Sequence, residues 1–422
     1  MQRSRTFRLI ATALLLSASL AGAQDKTSIT VLSVAGLEKY TQAAAAAYMK
    51  EKPNVTVKVD VLPFDQLFQQ IQVRLSTNSA SPDVLYVDGP VVASYGAQNF
   101  LAPMDSYFTK AELDAFIPAV LKTSYYQKKL LATPVCSSSM VLYYNKDILQ
   151  KAGVPIPSGD PARRLTYEQL AQYAQKATVR QGGRVTSWGL TFHQADKPYQ
   201  LLPLVQSLGG EAIGEDGLSV KGVIDSPAWV KAMQYYGDLH NKLGVSPKGN
   251  VDGWQLFQSG KAAFFIGVPY FGGSAPETVK KFNWGFSPNP YFAGGVPVTT
   301  TDCWHVGVNK NSPNVAVSAD FVKYLTNGKG QDIYWQQGQL DPVLKRHVEI
   351  VKTDKKYQGT VAQLAAQEAV TTAQGRPVTP GYNEYQDILT QAMANIRSGQ
   401  DAKAALSSAA DQIERAMAKY RK

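Results

Sequence analysis

Residues 29–88 carry the pattern that most narrows the fold. Ile29–Ser33 is a short β-rich run, followed by Gly36 and an Ala-rich helical stretch to about Met49. Lys52-Pro53-Asn54 stops that helix, and Val55–Leu62 alternates with the period of two that a strand requires. Phe64–Leu75 places Leu67, Phe68, Ile71 and Leu75 at helical spacing. Ser81-Pro82 breaks it, and Val84–Val87 reads as a third strand. Strands alternating with helices imply a parallel sheet covered by helices. In such sheets ligands gather beyond the carboxyl ends of the strands. Those ends hold Glu38, Phe64 and Asp88. Taken singly, each also reads as a helix-start acid or a core ring. Their shared edge makes them candidates for binding.

Further strands are expected at Val141–Tyr144, Trp188–Phe192, Ala262–Ile266 and Trp304–Val308. Thr166 with Gln169 forms a capping box that opens a helix to about Ala177. Trp229–Leu243, Ala316–Thr326, Tyr382–Arg397 and Ala402–Tyr420 also read as helices. A chain of 422 residues suggests two or three domains. No repeat or linker is visible, so domains that exchange segments fit better than two joined at a single hinge.

Residues 1–23 stand apart from this pattern. Arg3, Arg5 and Arg8 precede an apolar run from Leu9 to Leu20, and Ala21-Gly22-Ala23 is a cleavage signal. This is the layout of a secretory signal peptide, and the run is shorter than the ~20 residues of a membrane span. An exported protein of the periplasm or cell envelope is expected, without a lipid anchor, since no Cys lies near the cleavage point. With 44% hydrophobic and 18% charged residues, the chain is not disordered. The net charge of +10 is spread as scattered pairs such as Lys128-Lys129 and Lys280-Lys281. Nucleic-acid binders concentrate their charge on one face, so no nucleic-acid partner is expected. Cys136 and Cys303 are the only cysteines, and their number fits either one disulfide or two buried thiols.

Catalytic and cofactor motifs are absent. There is no phosphate-binding or dinucleotide-binding glycine loop, no G-x-S-x-G and no H-E-x-x-H. His193, His240, His305 and His347 lack metal-ligand spacing. No enzyme activity, cofactor or metal is expected, although paired carboxylates for glycoside hydrolysis converge only in three dimensions.

Several stretches, in order, carry a resemblance. They are Ser81–Val84, Gln98–Asp105, Leu142–Leu149 with Ala152-Gly153, Phe257–Phe264, Gly338 with Pro342, and Ile396–Gly399 with Ala404 and Leu406. In these the chain resembles the extracellular solute-binding proteins of ABC sugar importers, the family of maltose-binding protein, over nearly all of its mature length. The resemblance implies an α/β, two-lobed periplasmic-binding-protein fold, each lobe a mostly parallel sheet flanked by helices. It implies a first lobe of 24–136 plus 304–342 and a second of 137–303 plus 343–422. Cys136 and Cys303 would then fall on neighbouring crossing segments, where a disulfide could tether the hinge.

The resemblance further implies a monomer that grips a sugar, of di- or oligosaccharide size, by hinge closure and delivers it to membrane permease subunits. Sugars present hydroxyls at the ring edge and C–H groups on the face. Carboxylates, amides and Arg suit the first, aromatic platforms the second. The candidate ligand-binding residues are Glu38, Phe64, Asp88, Ser138, Tyr270, Trp304, Arg376 and Tyr382. Tyr270 or Val268 stands where the family commonly has a stacking Trp. Trp304 resembles the Trp of the family's G-G-W, with Asp302-Cys303 replacing the glycines. Rival readings are a glycerol phosphate diester or polyamine in the same fold, or an exported carbohydrate-active enzyme.

Overall fold

The structure, a computed structural model, describes residues 26–301, 304–338 and 341–421. The expected signal segment 1–23 and Cys303 lie outside the described residues. Two five-stranded sheets form the frame. The first starts from β1 (Thr27–Val34), α1 (Glu38–Glu51), β2 (Val55–Leu62), α2 (Phe64–Ser76) and β3 (Val84–Asp88). β1 pairs in parallel with both β2 and β3. β3 lies inside the sheet with Val84 to Val87 buried, which explains its unbroken apolar run. β2 is the edge strand, and its second half carries Lys58 and Asp60 toward solvent, a sequence that discourages edge-to-edge pairing.

The first sheet is finished by a segment from far along the chain. Trp304–Val308 inserts antiparallel between β3 and Ala132–Pro134. Its register sets Trp304 directly opposite Asp88. The second sheet has the order Trp284–Pro288, Val141–Asn145, Ala262–Gly267, Arg184–Phe192, Val179–Gln181. This sheet is mixed: only Ala262–Gly267 and Arg184–Phe192 run in parallel, and the other ladders are antiparallel. The sequence led us to expect a mostly parallel sheet here. Trp284–Pro288, absent from the sequence reading, is one reason for the difference.

Helices follow from amphipathic spacing and caps. α1 buries Tyr40, Thr41, Ala44, Ala45 and Tyr48 on one stripe, and the Thr41 hydroxyl lies 2.6 Å from the Tyr86 hydroxyl. The capping box at Thr166 forms in both directions, with Thr166 Oγ1 accepting from the Gln169 N–H at 3.1 Å. Tyr382–Arg397 and Ala402–Met417 close the chain. Helices Pro198–Ser207, Lys329–Gly338, Lys345–Thr353 and Val361–Thr371 were not visible in the sequence pattern.

Two deeply buried ion pairs tie distant segments around the second sheet. Arg164 pairs with Glu368 at 2.7 Å, both nearly inaccessible. Arg397 donates through Nε and Nη2 to Asp196, which also accepts from the Tyr236 hydroxyl. Asp196 sits in the left-handed region at φ 68°, a conformation these bonds hold in place. Asp196 belongs to the turn after Arg184–Phe192, so the pair fixes a strand-end loop of the second sheet.

The chain passes between the sheets at Val135–Met140. Thr299–Thr301 pairs in parallel with Ala373–Gly375 beside this passage. Ser137 bridges Asp341, and the Ser137 hydroxyl lies 2.6 Å from that of Thr301. The crossing segments are thus bonded to one another. No helix among the described residues is long and apolar enough to cross a membrane.

Candidate functional site

A cleft of about 430 Å³ opens between the strand ends of the two sheets. From the first side come Phe64 and Phe68, one turn apart on α2, with Asp88 at the end of β3 and Trp304 beside it. Phe68 stacks on Trp304 with centroids 6.0 Å apart, and Phe64 meets the same ring edge-on. Phe64 is 53% exposed, far more than a core ring would be. From the second side come His193, Gln194 and Lys197, which follow strand Arg184–Phe192, and Val268-Pro269-Tyr270, which follows Ala262–Gly267. Tyr270 is 63% exposed. Both loops sit at carboxyl ends of the parallel pair, where strand-end geometry collects ligands.

Arg376 and Asp88 form the polar centre. Arg376 Nη1 donates to Asp88 Oδ2 at 2.9 Å, and Nη2 donates to Oδ1 in a bidentate pair. Arg376 follows strand Ala373–Gly375, so the pair links β3 to a segment 288 residues away. The guanidinium also lies 5.1 Å from the Tyr199 ring centroid and 5.8 Å from that of Tyr382. A planar cation held by a carboxylate and flanked by rings keeps one geometry, which a flexible Lys would not. Ser138 Oγ lies 2.5 Å from the Tyr199 hydroxyl and adds a second polar point.

Two titratable groups in the cleft are shifted by their surroundings. Burial pushes the His193 imidazole down to about 4, against the attraction of Asp252, so it is neutral at ordinary pH. Its Nδ1 has no hydrogen-bond partner among the described residues. Burial pushes the Asp341 carboxyl up to about 7, although Ser139 donates to it through its hydroxyl at 3.0 Å and its backbone N–H. Asp341 sits on the crossing segment bonded to Ser137, within the lining of the cleft.

Six of the eight sequence candidates line this cleft: Phe64, Asp88, Ser138, Tyr270, Trp304 and Arg376. Two do not. Glu38 turns its carboxylate back onto the Gly36 N–H at 2.5 Å and starts α1, leaving Leu37 to face the cleft. A carboxylate closes the exposed N–H groups of a helix start more readily than it crosses open solvent. Tyr382 is 1% exposed and lies behind Arg376, whose Nη1 donates to its hydroxyl at 3.3 Å. Tyr382 therefore supports the guanidinium, and its helix neighbours Asn383 and Gln386 reach the cleft instead. Cys136 is buried at the cleft margin, and its expected partner Cys303 lies outside the described residues.

Sequence reasoning missed Phe68, His193, Gln194, Lys197, Tyr199 and Asp341. Phe68 carried a signal, being one helical turn from Phe64. The residues at 193–199 carried another, since the strand-end rule applies equally to Trp188–Phe192. Asp341 carried none, because a buried carboxyl on a crossing segment has no sequence pattern.

The charged groups of the cleft are Asp88, Arg376, Lys197 and Asp341, and the first two neutralise each other. Among the described residues no cluster of His, Cys, Asp and Glu could hold a metal ion. The arrangement offers exposed rings on both walls and a fixed donor-acceptor centre between them, suited to a ligand that is apolar on its faces and hydroxylated at its edges.

Comparison with known proteins bears on this arrangement. The model of the family "Bacterial extracellular solute-binding protein" matches residues 34–332. A binding protein of Brucella abortus is 26% identical over 85% of this chain and 85% of its own. An ABC substrate-binding protein of Listeria monocytogenes, solved in complex with cycloalternan, superposes with a TM-score of 0.79 at 20% identity. That match covers 93% of this chain and 99% of the other. The GacH receptor of Streptomyces glaucescens, solved unliganded and with acarbose, has a TM-score of 0.74 at 27% identity, covering 93% and 98%. The two sheets and their helices are therefore the lobes of a substrate-binding fold. The chain belongs to the bacterial extracellular solute-binding protein family.

Proposed function

We propose that this protein is the exported sugar-binding component of an ABC importer. It holds a neutral sugar in the cleft between the lobes and passes it to permease subunits in the membrane, and no bond is made or broken. The observation that carries the reading is the cleft itself: Phe64 and Trp304 on one wall and Tyr270 on the other flank the Asp88–Arg376 pair. The rings would take the C–H faces of the sugar, and Asp88, Arg376, Ser138 and His193 would take its hydroxyls. Relatives solved with cycloalternan and with acarbose support a carbohydrate ligand.

The charge balance favours a neutral ligand over the rivals. A phosphate diester is best gripped by an Arg fork, yet Arg376 is occupied by Asp88, which leaves Lys197 as the one other Lys or Arg lining the cleft. A polyamine needs several free carboxylates, yet Asp88 is paired and Asp341 holds its proton up to about pH 7. An exported hydrolase would need an acid and a base on either side of a bond; Asp341 keeps a proton as an acid would, but the other carboxyl, Asp88, is engaged by Arg376 and not placed as a base.

Residues 1–23 would direct export to the periplasm or cell envelope. Residues 24–136 with 304–342 would form one lobe and 137–303 with 343–422 the other, moving as a monomer about the crossing segments. A sugar touching both walls binds the closed form better and shifts the population toward it by that difference. Calorimetric titration of residues 24–422, refolded to remove carried-over ligand, tests the assignment against mono-, di- and oligosaccharides. Saturable one-to-one binding with unchanged sugar afterwards supports it. Turnover of the sugar, or silence across the panel from folded protein, overturns it.

A further inference from the structure

We propose that Asp341 holds the sugar as a neutral acid, donating its carboxyl proton to a ligand oxygen, so that binding takes up a proton from solvent wherever the free protein has lost it. This rests on the reading of the cleft as a sugar site. Asp341 is bonded through its backbone to Ser137 and lines both the cleft and an adjoining cavity of about 710 Å³. Only 6% of its surface is open. Its carboxyl meets the hydroxyl and the backbone N–H of Ser139, on the Val135–Met140 passage, and both of these donate. A neutral carboxyl carries one O–H of its own, which needs an acceptor. The nearby Tyr143 hydroxyl is already taken, donating to the Val268 carbonyl at 2.9 Å and accepting from the Gly272 N–H at 3.0 Å. The space left for the Asp341 proton is the cleft, where a sugar offers hydroxyl and ring oxygens.

No cation beside the carboxyl favours its ionised form. Burial raises its proton affinity, and only the Ser139 bonds oppose that. Across the cleft, Asp88 and Arg376 are paired with each other and His193 is neutral. Lys197 in the cleft, and Lys39, Glu277 and Lys356 in the adjoining cavity, line the same spaces but are not among the groups that shift it. A sugar closing over the carboxylate would strip the last water from an unpaired charge. That costs more than one further hydrogen bond returns. Binding therefore raises the carboxyl's proton affinity above that of the free protein. By linkage, sugar affinity falls as pH rises through the free carboxyl's value of about 7. The protein would load best in mildly acidic surroundings and loosen its hold above neutrality.

Calorimetric titration at pH 6, 7 and 8 tests this, each in two buffers of different ionisation enthalpy so that proton uptake is read directly. The probe is whichever of glucose, maltose, trehalose and cellobiose the wild-type protein binds most tightly at pH 6. Wild-type affinity should be about tenfold weaker at pH 8 than at pH 6, with about 0.9 proton taken up per sugar at pH 8 and about 0.1 at pH 6. His193, which titrates near 4, lies outside this window. Asp341→Asn keeps a donor and cannot ionise, so it should lose both the pH dependence and the uptake. Every other group titrates in both proteins, so the difference belongs to Asp341. Asp341→Leu, of similar size and without a donor, should bind at least tenfold more weakly than Asp341→Asn at pH 6. A wild-type affinity that is flat or rises with pH, an uptake that survives in Asp341→Asn, or equal binding by the Leu and Asn proteins overturns the role of Asp341 while leaving the cleft a sugar site. No binding of the four sugars at any pH by folded wild-type protein overturns both readings.

Discussion

Asp341→Asn isolates the energetic cost of one buried carboxyl at the crossing segments. Asp341 is buried and accepts from Ser139, and its charge helps to raise the hydroxyl of the buried Tyr143. Its carboxyl is pushed from an ordinary 3.8 up to about 7. Between those values the folded protein holds a proton that the unfolded chain releases. Stability must then fall as pH rises through that window. A tenfold change in a proton-binding equilibrium is worth about 1.4 kcal/mol, so ionising the folded carboxyl costs on the order of 4 kcal/mol at pH 8. Asn keeps an acceptor for Ser139 and cannot ionise. Urea unfolding of both proteins at pH 4, 5, 6, 7 and 8 measures the effect. The stability of Asp341→Asn minus that of wild type should be smallest at pH 4, climb by about 1.4 kcal/mol per pH unit, and level off above pH 7. His193 and His240, held down to about 4 by burial, lower stability as pH falls below the unfolded histidine value. They titrate in both proteins and cancel in the difference. A difference that does not change with pH would refute the argument that burial holds a proton on Asp341.

Arg376→Ala should lower sugar affinity at least 100-fold by calorimetry, because it removes a donor and leaves Asp88 without its partner. Arg376→Lys should fail to restore it, since a lysine cannot make the bidentate pair. Tyr270→Ala should weaken sugar binding by about 10- to 100-fold, the scale of a lost aromatic contact. It should move the melting temperature little, because the ring is largely exposed. Glu38→Ala should leave affinity within twofold in the same titration, as its carboxylate serves the turn at Gly36.

Much of the frame could be read from the sequence because its signals are local. The period of two in Val55–Leu62 and the capping box at Thr166 each depend on neighbours within a few residues, and both elements formed as expected. The strand-end rule found Phe64 and Asp88 for the same reason. It failed at Glu38 because a helix start competes for a nearby carboxylate, a choice that depends on local geometry and not on position. Tyr382 was placed in the right neighbourhood but not on the surface, since sequence does not say which side of Arg376 a ring occupies. Contacts across 288 residues, as between Asp88 and Arg376, or 201, as between Asp196 and Arg397, have no local signature at all. Those bonds appear only once the sheets are assembled.

The insertion of Trp304–Val308 between β3 and Ala132–Pro134 also sets an order of assembly. A growing or translocating chain delivers β1, β2 and β3 early, yet the strand that joins β3 to Ala132–Pro134 arrives only after every strand of the second sheet. Until then both flanking strands keep unpaired backbone edges, which are prone to pair with other chains. The sheet that begins first is therefore the one that closes last. Its completion waits on a long loop closure across every strand of the neighbouring sheet, which ties the folding of the two sheets together.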